Sequence, residues 1–445
     1  MEVRQINSAV KQILNVKELS SMIGQDISFK SCVHRIRILP NVSFIILRLE
    51  RSLIQAVAEP PVDLSPFLEG DFVSINGKVR ESKLNDRAIE NRDVEISITH
   101  IELIHRPAET IPFEINKKEL NIRSDLEFDY RPISLRHPKK RAIFKISETI
   151  ADSFASFLYK NGFTRIFSPK IVLAGAEGGA NIFQIKYFDR IAYLAQSPQF
   201  YKQYGVGIFG RVYDIGPVFR AEKHNTSRHI NEYISLDFEM GFIDSYEDIM
   251  KTEIAYLKYM IEQLKERNTF ELELLETRLP IIGETIPAIK LSEAHQIYFE
   301  NTKKDFRNEP DLSPEEEKYL TIWSNKEFSS EFLFITHFPT SKRPFYTMDD
   351  PENKNETLSF DLLFRGLEIT TGGQRINDYN QQVEKMKDFG LNPAEFESFL
   401  QLHKYGVPPH GGLAIGLERL TARICNIENV KEASMYPRDI NRITP

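Results

Sequence analysis

The stretch from Val212 to Met240 carries charged side chains at spacings where a strand would normally bury its residues. It reads VYDIGPVFRAEKHNTSRHINEYISLDFEM, which predicts two strands joined by a polar loop. Four charged residues recur at alternate positions among apolar neighbours: Arg220, Glu222, Asp237 and Glu239. Because alternate strand residues share a face, one face of a sheet is expected to combine cations with carboxylates. Such charges need partners, so they form either cross-strand ion pairs or a binding site.

Composition restricts the class of protein that can contain this hairpin. With 41% hydrophobic and 27% charged residues, the 445-residue chain is predicted to be globular, with about three domains or one large and one small domain. No apolar run approaches the roughly 20 residues of a membrane span, and the N-terminus lacks a signal-peptide core, so we expect a cytoplasmic protein. Cys32 and Cys425 lack metal-ligand spacing and are too few for a disulfide framework. The net charge of −7 argues against a general nucleic-acid coat, although a local basic patch can still bind RNA.

Residues 1–105 predict an all-β domain that follows a short N-terminal helix. Five strand-like runs are separated by turn residues: DISFKSCVHRIRIL, VSFIILRLE, LIQAVAE, DFVSINGKVRES and DVEISITHIELIH. This pattern favours an OB-fold barrel, a fold that commonly binds single-stranded nucleic acid by stacking bases on aromatic side chains. Phe44 is the candidate aromatic residue, and core packing is the alternative for a phenylalanine among apolar neighbours.

The remaining sequence predicts a second, larger domain. Residues 106–135 mix prolines with charge and show no sustained period, which is typical of a linker, so the larger domain is predicted at residues 136–445. Apolar residues at helical offsets predict a helix from Lys140 to Asn161. Residues 245–344 are interpreted as packing helices and charged connections that contribute no chemistry.

Three further stretches carry residue types suited to a site. Gln199 and Lys202 are three positions apart, so they share a face of any helical turn. In SFDLLFRGLEITTGGQRI, Asp361 and Glu368 alternate with apolar residues, and such oxygens suit Mg²⁺ that completes its shell with phosphates. Near the C-terminus a glycine-rich strand leads into a helix with Arg419 near its start, where anions are favoured. Each feature alone also fits an ordinary structural role.

Three separated motifs in this chain resemble those of class II aminoacyl-tRNA synthetases. Residues 219–240 follow motif 2, with Phe-Arg-x-Glu, a variable loop and Arg-His-x-x-Glu-Tyr. GLERL at residues 416–420 resembles motif 3, and GFTRIFSP at residues 162–169 resembles motif 1. QSPQ before Lys202 and the ending YPRD are similar to the aspartyl branch of the family. The short interval between motifs 2 and 3 is similar to its archaeal and eukaryotic type.

The resemblance implies an α+β fold, with an N-terminal OB-fold β-barrel that binds the anticodon and a catalytic domain whose antiparallel sheet is flanked by helices. It implies activation of L-aspartate with ATP and Mg²⁺, followed by transfer to the 3′ end of tRNA(Asp). Cys32 stands where the family usually has tryptophan, so charging of tRNA(Asn) as well is left open. Motif 1 implies a homodimer.

The resemblance also implies roles for individual residues. The catalytic residues are Arg220 and Arg419. The residues implied to contact aspartate are Glu177, Gln199, Lys202, Arg220, Asp237, Thr371 and Arg375. Those implied to contact ATP are Arg220, Glu222, Arg228, His229, Ile230, Tyr233, Glu368, Gly416, Leu417, Glu418 and Arg419. The magnesium ligands are Asp361 and Glu368, and the anticodon contacts are Phe44, Gln55 and Glu95.

Two alternatives remain open from the sequence. An asparaginyl enzyme shares the architecture, but Lys202, Arg375 and the Pro-Arg-Asp ending count against it. A catalytically inactive paralogue that binds RNA through the barrel is the second, and the presence of Arg220, Glu368 and Arg419 argues against it.

Overall fold

A computed structural model of the chain describes residues 14–173, 181–223 and 225–445. The predicted site residue Glu177 and the first 13 residues of the segment in which a short N-terminal helix is predicted therefore lie outside the described residues. The chain separates into two compact units. The barrel unit comprises the chain up to Ala142 together with Phe270–Glu276, and the sheet unit comprises Ile143–Thr269 and Thr277–Thr444.

The barrel unit contains a closed five-stranded barrel in the order β1-β2-β3-β5-β4. Its strands are β1 (Asp26–Ile38), β2 (Ser43–Arg48), β3 (Leu53–Ala58), β4 (Phe72–Glu81) and β5 (Val94–His105). Alternate residues such as Ile45, Leu47 and Ile75 are fully buried in its core, which is the period that the strand patterns require. A 3₁₀ helix at Val16–Met22 precedes β1. The OB-fold prediction is confirmed.

The segment predicted as a linker contains regular structure near its end. Two short helices occupy it, α1 (Ser124–Asp129) and α2 (Arg131–Ser134). Buried Arg131 pairs with Glu127 at 2.7 Å, and Lys140 reaches the same carboxylate at 2.9 Å. The long helix α3 (Pro138–Lys160) follows, as the apolar spacing predicts, and ends where Gly162 adopts a φ of +79°.

The sheet unit is built on an eight-stranded sheet in the order β12-β13-β14-β15-β16-β11-β10-β6. Its strands are β6 (Thr164–Arg165), β10 (Arg211–Phe219), β11 (Glu232–Gly241), β12 (Ala288–Lys290), β13 (Phe332–Thr336), β14 (Ser359–Phe364), β15 (Leu367–Arg375) and β16 (His410–Gly416). The pairs from β13 to β10 are antiparallel, whereas β6 and β12 pair in parallel at the two edges. A separate sheet joins β7 (Ile171–Val172), β9 (Arg190–Leu194) and β8 (Gln184–Tyr187).

Helices pack against this sheet or close the loops between its strands. They are α4 (Gln199–Phe209), α5 (Glu247–Arg267), α7 (Leu291–Thr302), α8 (Pro314–Phe328), α9 (Tyr379–Asp388), α10 (Glu397–Tyr405) and α11 (Leu417–Ile424), whereas α6 (Thr269–Leu274) belongs from Phe270 onward to the barrel unit. The expected α+β architecture is confirmed. In the parts of the chain that the structure describes, no helix is both long and apolar enough to cross a membrane.

The predicted hairpin lies in the large sheet between β16 and the edge strand β6. Strands β10 and β11 pair from Arg211 with Met240 to Phe219 with Glu232. On its other side β11 pairs with β16, where Glu239 faces Gly412. A Cβ at Gly412 would lie 2.1 Å from the Phe238 carbonyl oxygen and 2.3 Å from Glu239 Oε2, so only glycine fits. The glycine-rich strand therefore allows close approach to a buried carboxylate.

A second buried carboxyl group lies at Glu253 on α5. Its Oε1 accepts a hydrogen bond from Thr370 Oγ1 at 2.6 Å, and its Oε2 has no hydrogen-bond partner among the described residues. Burial raises the pKa of Glu253 to about 8, and the nearby Asp361 adds to this effect. Between its ordinary pKa of 4.5 and about 8, the folded chain keeps a proton that the unfolded chain loses. This site therefore makes the fold less stable as the pH rises through that window.

Replacing Glu253 with glutamine is expected to remove this pH dependence because the amide is neutral and of similar shape. The stability advantage of Glu253→Gln over the wild type should grow by on the order of 2–4 kcal/mol between pH 5 and pH 8. Thermal unfolding at several pH values measures it. The matched control is Glu262→Gln on the exposed face of α5, whose difference from the wild type should stay constant. A constant difference for both variants would show that Glu253 ionises normally.

Candidate functional site

A cavity of about 930 Å³ opens on the large sheet within the sheet unit. It collects most of the residues that the sequence motifs singled out. The predicted residues that line it are Gln199, Lys202, Arg220, Glu222, Arg228, His229, Ile230, Tyr233, Asp361, Glu368, Thr371, Arg375, Gly416, Glu418 and Arg419. Asp237 and Leu417 are buried and do not line it. Residues up to 220 positions apart in sequence thus form one site.

The hairpin loop supplies cations that line the cavity, among them Arg220 and Arg228. Arg220 and Glu222 follow the last residue of β10, Phe219, so they lie beyond the strand in which we expected them. Asn231 fixes this turn: its carbonyl accepts from Arg220 N at 2.9 Å, and its Nδ2 donates to the Arg220 carbonyl at 2.6 Å and to the Glu222 carbonyl at 3.0 Å. The backbone that carries Arg220 is therefore held independently of its side chain.

One end of the cavity contains a buried group of opposite charges centred on Glu239. Lys202 Nζ lies 2.9 Å from Asp237 Oδ1 and 3.4 Å from Glu239 Oε2, while Arg375 Nε donates to Glu239 Oε1 at 2.8 Å. All four side chains are at most 6% exposed as residues. Burial raises the pKa of Glu239, but the guanidinium of Arg375 and the ammonium of Lys202 hold it below its ordinary value.

This group bears on the role that the resemblance implies for Lys202 and Arg375 as contacts to aspartate. The two cations do converge, since both contact Glu239, but two carboxylates already balance their charge. Gln199 Nε2 also reaches Glu239, at 3.4 Å, so Gln199 and Lys202 share the inner face of α4 as their spacing predicted. Next to Arg375 in the sheet, His410 is kept neutral because burial lowers its pKa to about 4.

The other end of the cavity contains Asp361 and Glu368 on the adjacent strands β14 and β15. Arg419 Nη1 donates to the Glu368 carbonyl at 3.0 Å and lies 3.5 Å from Glu368 Oε2. Thr371 Oγ1 donates to Glu368 Oε1 at 2.9 Å. Arg343 Nη2 lies 2.8 Å from Asp361 Oδ1. The two carboxylates thus face one space, as their alternation with apolar residues predicted.

The electrostatics of these two carboxylates differ. Burial raises the pKa of Asp361 to about 7, with Arg343 opposing and Glu368 adding to the effect. Burial also acts on Glu368, but Arg419, the Thr371 hydroxyl, Arg343 and Arg220 together hold its pKa below the ordinary value. A divalent cation with oxygen ligands would relieve the repulsion between the two groups. Among the described residues, no group of three or more His, Cys, Asp or Glu side chains has a metal-binding arrangement.

Helix α11, which carries the C-terminal motif, holds part of the cavity wall in place. Both carboxyl oxygens of Glu418 accept from Ile234 N, each at 3.1 Å, and burial raises the pKa of Glu418 to about 8. Glu418 thereby holds the backbone next to Tyr233, whose ring also lines the cavity. Arg419 lies one residue further along α11 and enters the cavity instead of facing solvent.

The interpretation of residues 245–344 as packing alone is wrong. Ser341, Lys342 and Arg343 from this stretch line the cavity. Arg343 also donates from Nε to Ser359 Oγ at 3.1 Å and stacks over the Phe338 ring at 3.8 Å. Glu317 on α8 binds the guanidinium of Arg228. No local pattern marks these residues, because their partners lie far away in sequence.

The barrel unit has a cavity of its own, of about 810 Å³. Phe44 and Gln55 line it, and Gln55 Nε2 donates to Glu95 Oε2 at 2.7 Å. Phe44 is half-buried and alternates with the core residue Ile45, so it lies on the outer face of the barrel and not in its core. Six basic side chains line the same cavity: Arg35, Arg37, Arg87, Lys117, Lys118 and Lys139. This surface suits a polyanion with exposed rings.

Comparisons with known proteins agree with this geometry. The sequence model of the family "tRNA synthetases class II (D, K and N)" matches residues 123–440. The aspartate–tRNA(Asp/Asn) ligase of Thermus thermophilus is 41% identical over 430 residues, which are 97% of this chain and 99% of that protein. The aspartate–tRNA(Asp) ligase of Pyrococcus furiosus is 35% identical, over 95% of this chain and 97% of that protein.

Solved structures give the same result. The asparaginyl-tRNA synthetase of Pyrococcus horikoshii in complex with asparaginyl-adenylate has a TM-score of 0.88 at 28% identity, over 98% of this chain and all of that one. A putative aspartyl-tRNA synthetase of Leishmania major has a TM-score of 0.87 at 26% identity, over 98% of this chain and 95% of that one. The barrel, the antiparallel sheet and the motif residues in one cavity are therefore those of a family of ATP-dependent ligases, and the chain belongs to the class II tRNA synthetases of the D, K and N group.

Proposed function

We propose that this chain is an aspartate–tRNA ligase that first forms aspartyl-adenylate and then transfers the aspartyl group to tRNA. The observation that carries the proposal is the convergence of two cations that line the cavity, Lys202 and Arg375, on the buried carboxylate of Glu239. The names of the relatives in Thermus and Pyrococcus agree with it. Within this proposal the sheet unit is the catalytic domain and the barrel unit the anticodon-binding domain.

The amino acid is proposed to bind at the Lys202 and Arg375 end, beside Gln199, Asp237 and Thr371. A guanidinium can bind a side-chain carboxylate through two parallel hydrogen bonds. The substrate carboxylate would add one negative charge to a group in which two cations and two carboxylates already balance. An asparagine amide would present hydrogen-bond donors to these cations and leave them unpaired, and a polar mismatch of this kind discriminates by about 10⁴-fold.

Activation needs no side-chain nucleophile, because the α-carboxylate of aspartate attacks the α-phosphorus of ATP. The bond from that phosphorus to the bridging oxygen breaks, and pyrophosphate leaves. A terminal ribose hydroxyl of tRNA then attacks the aspartyl carbonyl carbon, which releases AMP. The task of the protein is positioning and charge neutralisation. Arg220 lines the cavity and its charge acts on Glu368, and it would hold the substrate carboxylate and the α-phosphate together.

The remaining nucleotide contacts are proposed along the hairpin loop and α11. Arg228, His229 and Arg419 would face the outer phosphates, and Tyr233 would stack on adenine, with Glu222 near the adenine or the metal. Ile230 and Gly416 complete the walls of the same cavity. A triphosphate beside the hairpin loop would meet three guanidinium groups, those of Arg220, Arg228 and Arg419. It would also meet the N-terminus of α11, which favours anions.

Asp361 and Glu368 are proposed to hold Mg²⁺. They fit because buried Asp361 and half-buried Glu368 line one cavity, and two protein carboxylates with waters and phosphate oxygens are a common magnesium environment. The ion would neutralise charge on the outer phosphates when bound. Loss of exchange activity on chelation, with recovery on adding Mg²⁺, is the expected observation, and full activity in a chelator would exclude the assignment.

The central test is ATP–pyrophosphate exchange with the purified chain and each of three amino acids. Aspartate should support exchange, whereas asparagine and lysine should not. Exchange that depends on asparagine instead would favour the asparaginyl alternative. ATP binding without exchange for any amino acid would favour an inactive paralogue. Aminoacylation of the tRNA(Asp) and tRNA(Asn) transcripts then determines the tRNA scope that Cys32 leaves open.

Phe44 provides a separate test of the barrel as the tRNA-binding unit. Phe44→Ala is expected to raise KM for tRNA by about 10-fold, because one stacked base is worth 1–3 kcal/mol. Pyrophosphate exchange should not change, since that reaction uses no tRNA. The matched control is Phe72→Ala, which removes an exposed barrel phenylalanine that does not line the cavity. Equal effects of the two variants would contradict a role for Phe44 in base stacking.

We also propose that the chain is a homodimer formed through motif 1. The motif includes β6, an edge strand of the large sheet, followed by Phe167, which is 82% exposed. Edge strands and exposed aromatic residues favour association with another chain. Static light scattering should give twice the 51.6 kDa mass of one chain, and a mass of one chain at micromolar concentration would exclude the dimer.

A further inference from the structure

Glu317 is a buried carboxylate outside every motif, yet it joins three elements at the phosphate end of the cavity. It lies on α8 and is 7% exposed. Its Oε2 accepts a hydrogen bond from the main-chain nitrogen of Glu368 on β15 at 2.8 Å. The same oxygen binds Nη2 of Arg228 in the hairpin loop. One atom thus connects a helix, a central strand and the loop.

The turn of α8 that carries Glu317 is rigidly held. Ser313 caps the helix: its hydroxyl accepts from Glu316 N at 3.3 Å, and Glu316 Oε2 accepts from Ser313 N at 2.8 Å. The other oxygen of Glu316 contacts His295 Nδ1 at 2.6 Å. Because a reciprocal cap and a buried contact fix the first turn, Glu317 is a fixed point for whatever binds it.

Glu317 completes the set of contacts that immobilise Glu368. The Glu368 nitrogen binds Glu317, its carbonyl accepts from Arg419, and its Oε1 accepts from Thr371. The pairing of β14 with β15 shifts at Leu362 and Leu363, directly opposite this residue. Bulges of this kind re-aim side chains near active sites, and the Glu368 amide finds its partner in Glu317.

Glu317 also neutralises a pair of cations. Burial lowers the pKa of Arg423, and the positive charge of Arg228 lowers it further, whereas Glu428 and Glu317 raise it. The carboxylate of Glu317 therefore lies close to both guanidinium groups. Without it, Arg228 would lose the anchor that holds its side chain at the cavity wall, and Arg423 would lose one of the carboxylates that offset the charge of Arg228.

We infer that Glu317 is a positioning residue for ATP, which holds Arg228 and the main chain of Glu368 in place for the outer phosphates. The identity of the phosphates rests on the proposed function. Glu317 itself contacts no substrate in this scheme, because Arg228 lies between it and the phosphates. Its loss is therefore expected to weaken ATP binding more than amino acid binding.

The test compares Glu317→Ala with Glu315→Ala, a carboxylate on the same first turn of α8 that pairs with Lys304 at the surface. Glu317→Ala should raise KM for ATP in pyrophosphate exchange by about 10-fold, with KM for aspartate unchanged, and Glu315→Ala should match the wild type. Glu317→Gln should recover part of the loss, because its amide oxygen can still accept from Glu368 N. When Glu317→Ala is combined with Arg228→Ala, KM for ATP should rise little beyond its value in Arg228→Ala alone.

Calorimetric titration with ATP alone separates this inference from the proposed function. A weaker ATP affinity in Glu317→Ala supports the positioning role whichever amino acid the enzyme activates, while absence of aspartate-dependent exchange in the wild type overturns only the proposed function. The inference is overturned if Glu317→Ala binds ATP as Glu315→Ala does. It is also overturned if KM for ATP and KM for aspartate rise together with a lower Tm, which would indicate structural damage.

Discussion

Arg220→Ala is expected to reduce aspartate-dependent pyrophosphate exchange by at least about 10³-fold while leaving Tm within a few degrees of the wild type. Arg220 lines the cavity and its charge acts on Glu368, so it is proposed to meet the negative charge that develops on the α-phosphate during activation. The loss should appear mainly in kcat, because the contact strengthens in the transition state.

The fold should tolerate this change, since Asn231 fixes the Arg220 backbone through contacts that do not involve the side chain. Arg211→Ala is the matched control: it removes an arginine from the exposed start of the same strand, β10, far from the cavity lining. Its exchange rate should equal that of the wild type. Normal exchange in Arg220→Ala would remove Arg220 from the mechanism.

Arg375→Lys is expected to lower kcat/KM for aspartate by about 10²–10³-fold, although the charge is kept. The arginine spans two acceptors, with Nε on Glu239 Oε1 at 2.8 Å and Nη2 on the Gly412 carbonyl at 3.0 Å. A lysine ammonium can pair with Glu239 but cannot keep this fork while binding a substrate carboxylate in two places. The preference for aspartate over asparagine should fall with it.

Arg375→Lys is preferable to an alanine variant because buried Glu239 keeps two cationic neighbours, which avoids an unpaired buried charge. Arg365→Lys is the matched control, since Arg365 pairs with Glu331 at 2.9 Å away from the cavity. Exchange kinetics with aspartate and with asparagine, measured at saturating ATP, give kcat/KM for each amino acid. They therefore report both the change for aspartate and the preference between the two amino acids. An unchanged aspartate kcat/KM in Arg375→Lys would contradict the specificity proposed for this site.

Much of the fold follows from patterns that act over a few residues. Period-two burial on β2 and β4 predicts the barrel strands, and apolar residues such as Ile146, Ile150 and Phe154 at helical offsets predict α3. The glycine-rich strand before Arg419 likewise predicts the passage from β16 to α11. In each case the local sequence pattern and the burial in the folded chain favour the same strand or helix. Contacts with distant residues therefore do not change the secondary structure there.

The site is predictable only in part. Arg220, Glu368 and Arg419 carry local signatures, and the cavity brings them together. Arg343 and Glu317 carry none, because a lone arginine or a helical glutamate is compatible with any exposed surface. Arg343 matters because it contacts Asp361, 18 positions away along the chain. Glu317 matters because it contacts Arg228, 89 positions away.

The amino-acid sequence by itself determined which segments form strands and helices and which residue types could handle a carboxylate or a phosphate. The tertiary structure alone decided how the charges pair: Lys202 from α4 and Arg375 from β15 meet on Glu239 of β11 in a balanced group. The physical reason is that secondary structure depends on neighbours within a few residues, whereas a buried charge is tolerable only where the folded chain brings its counter-charge within a few ångströms.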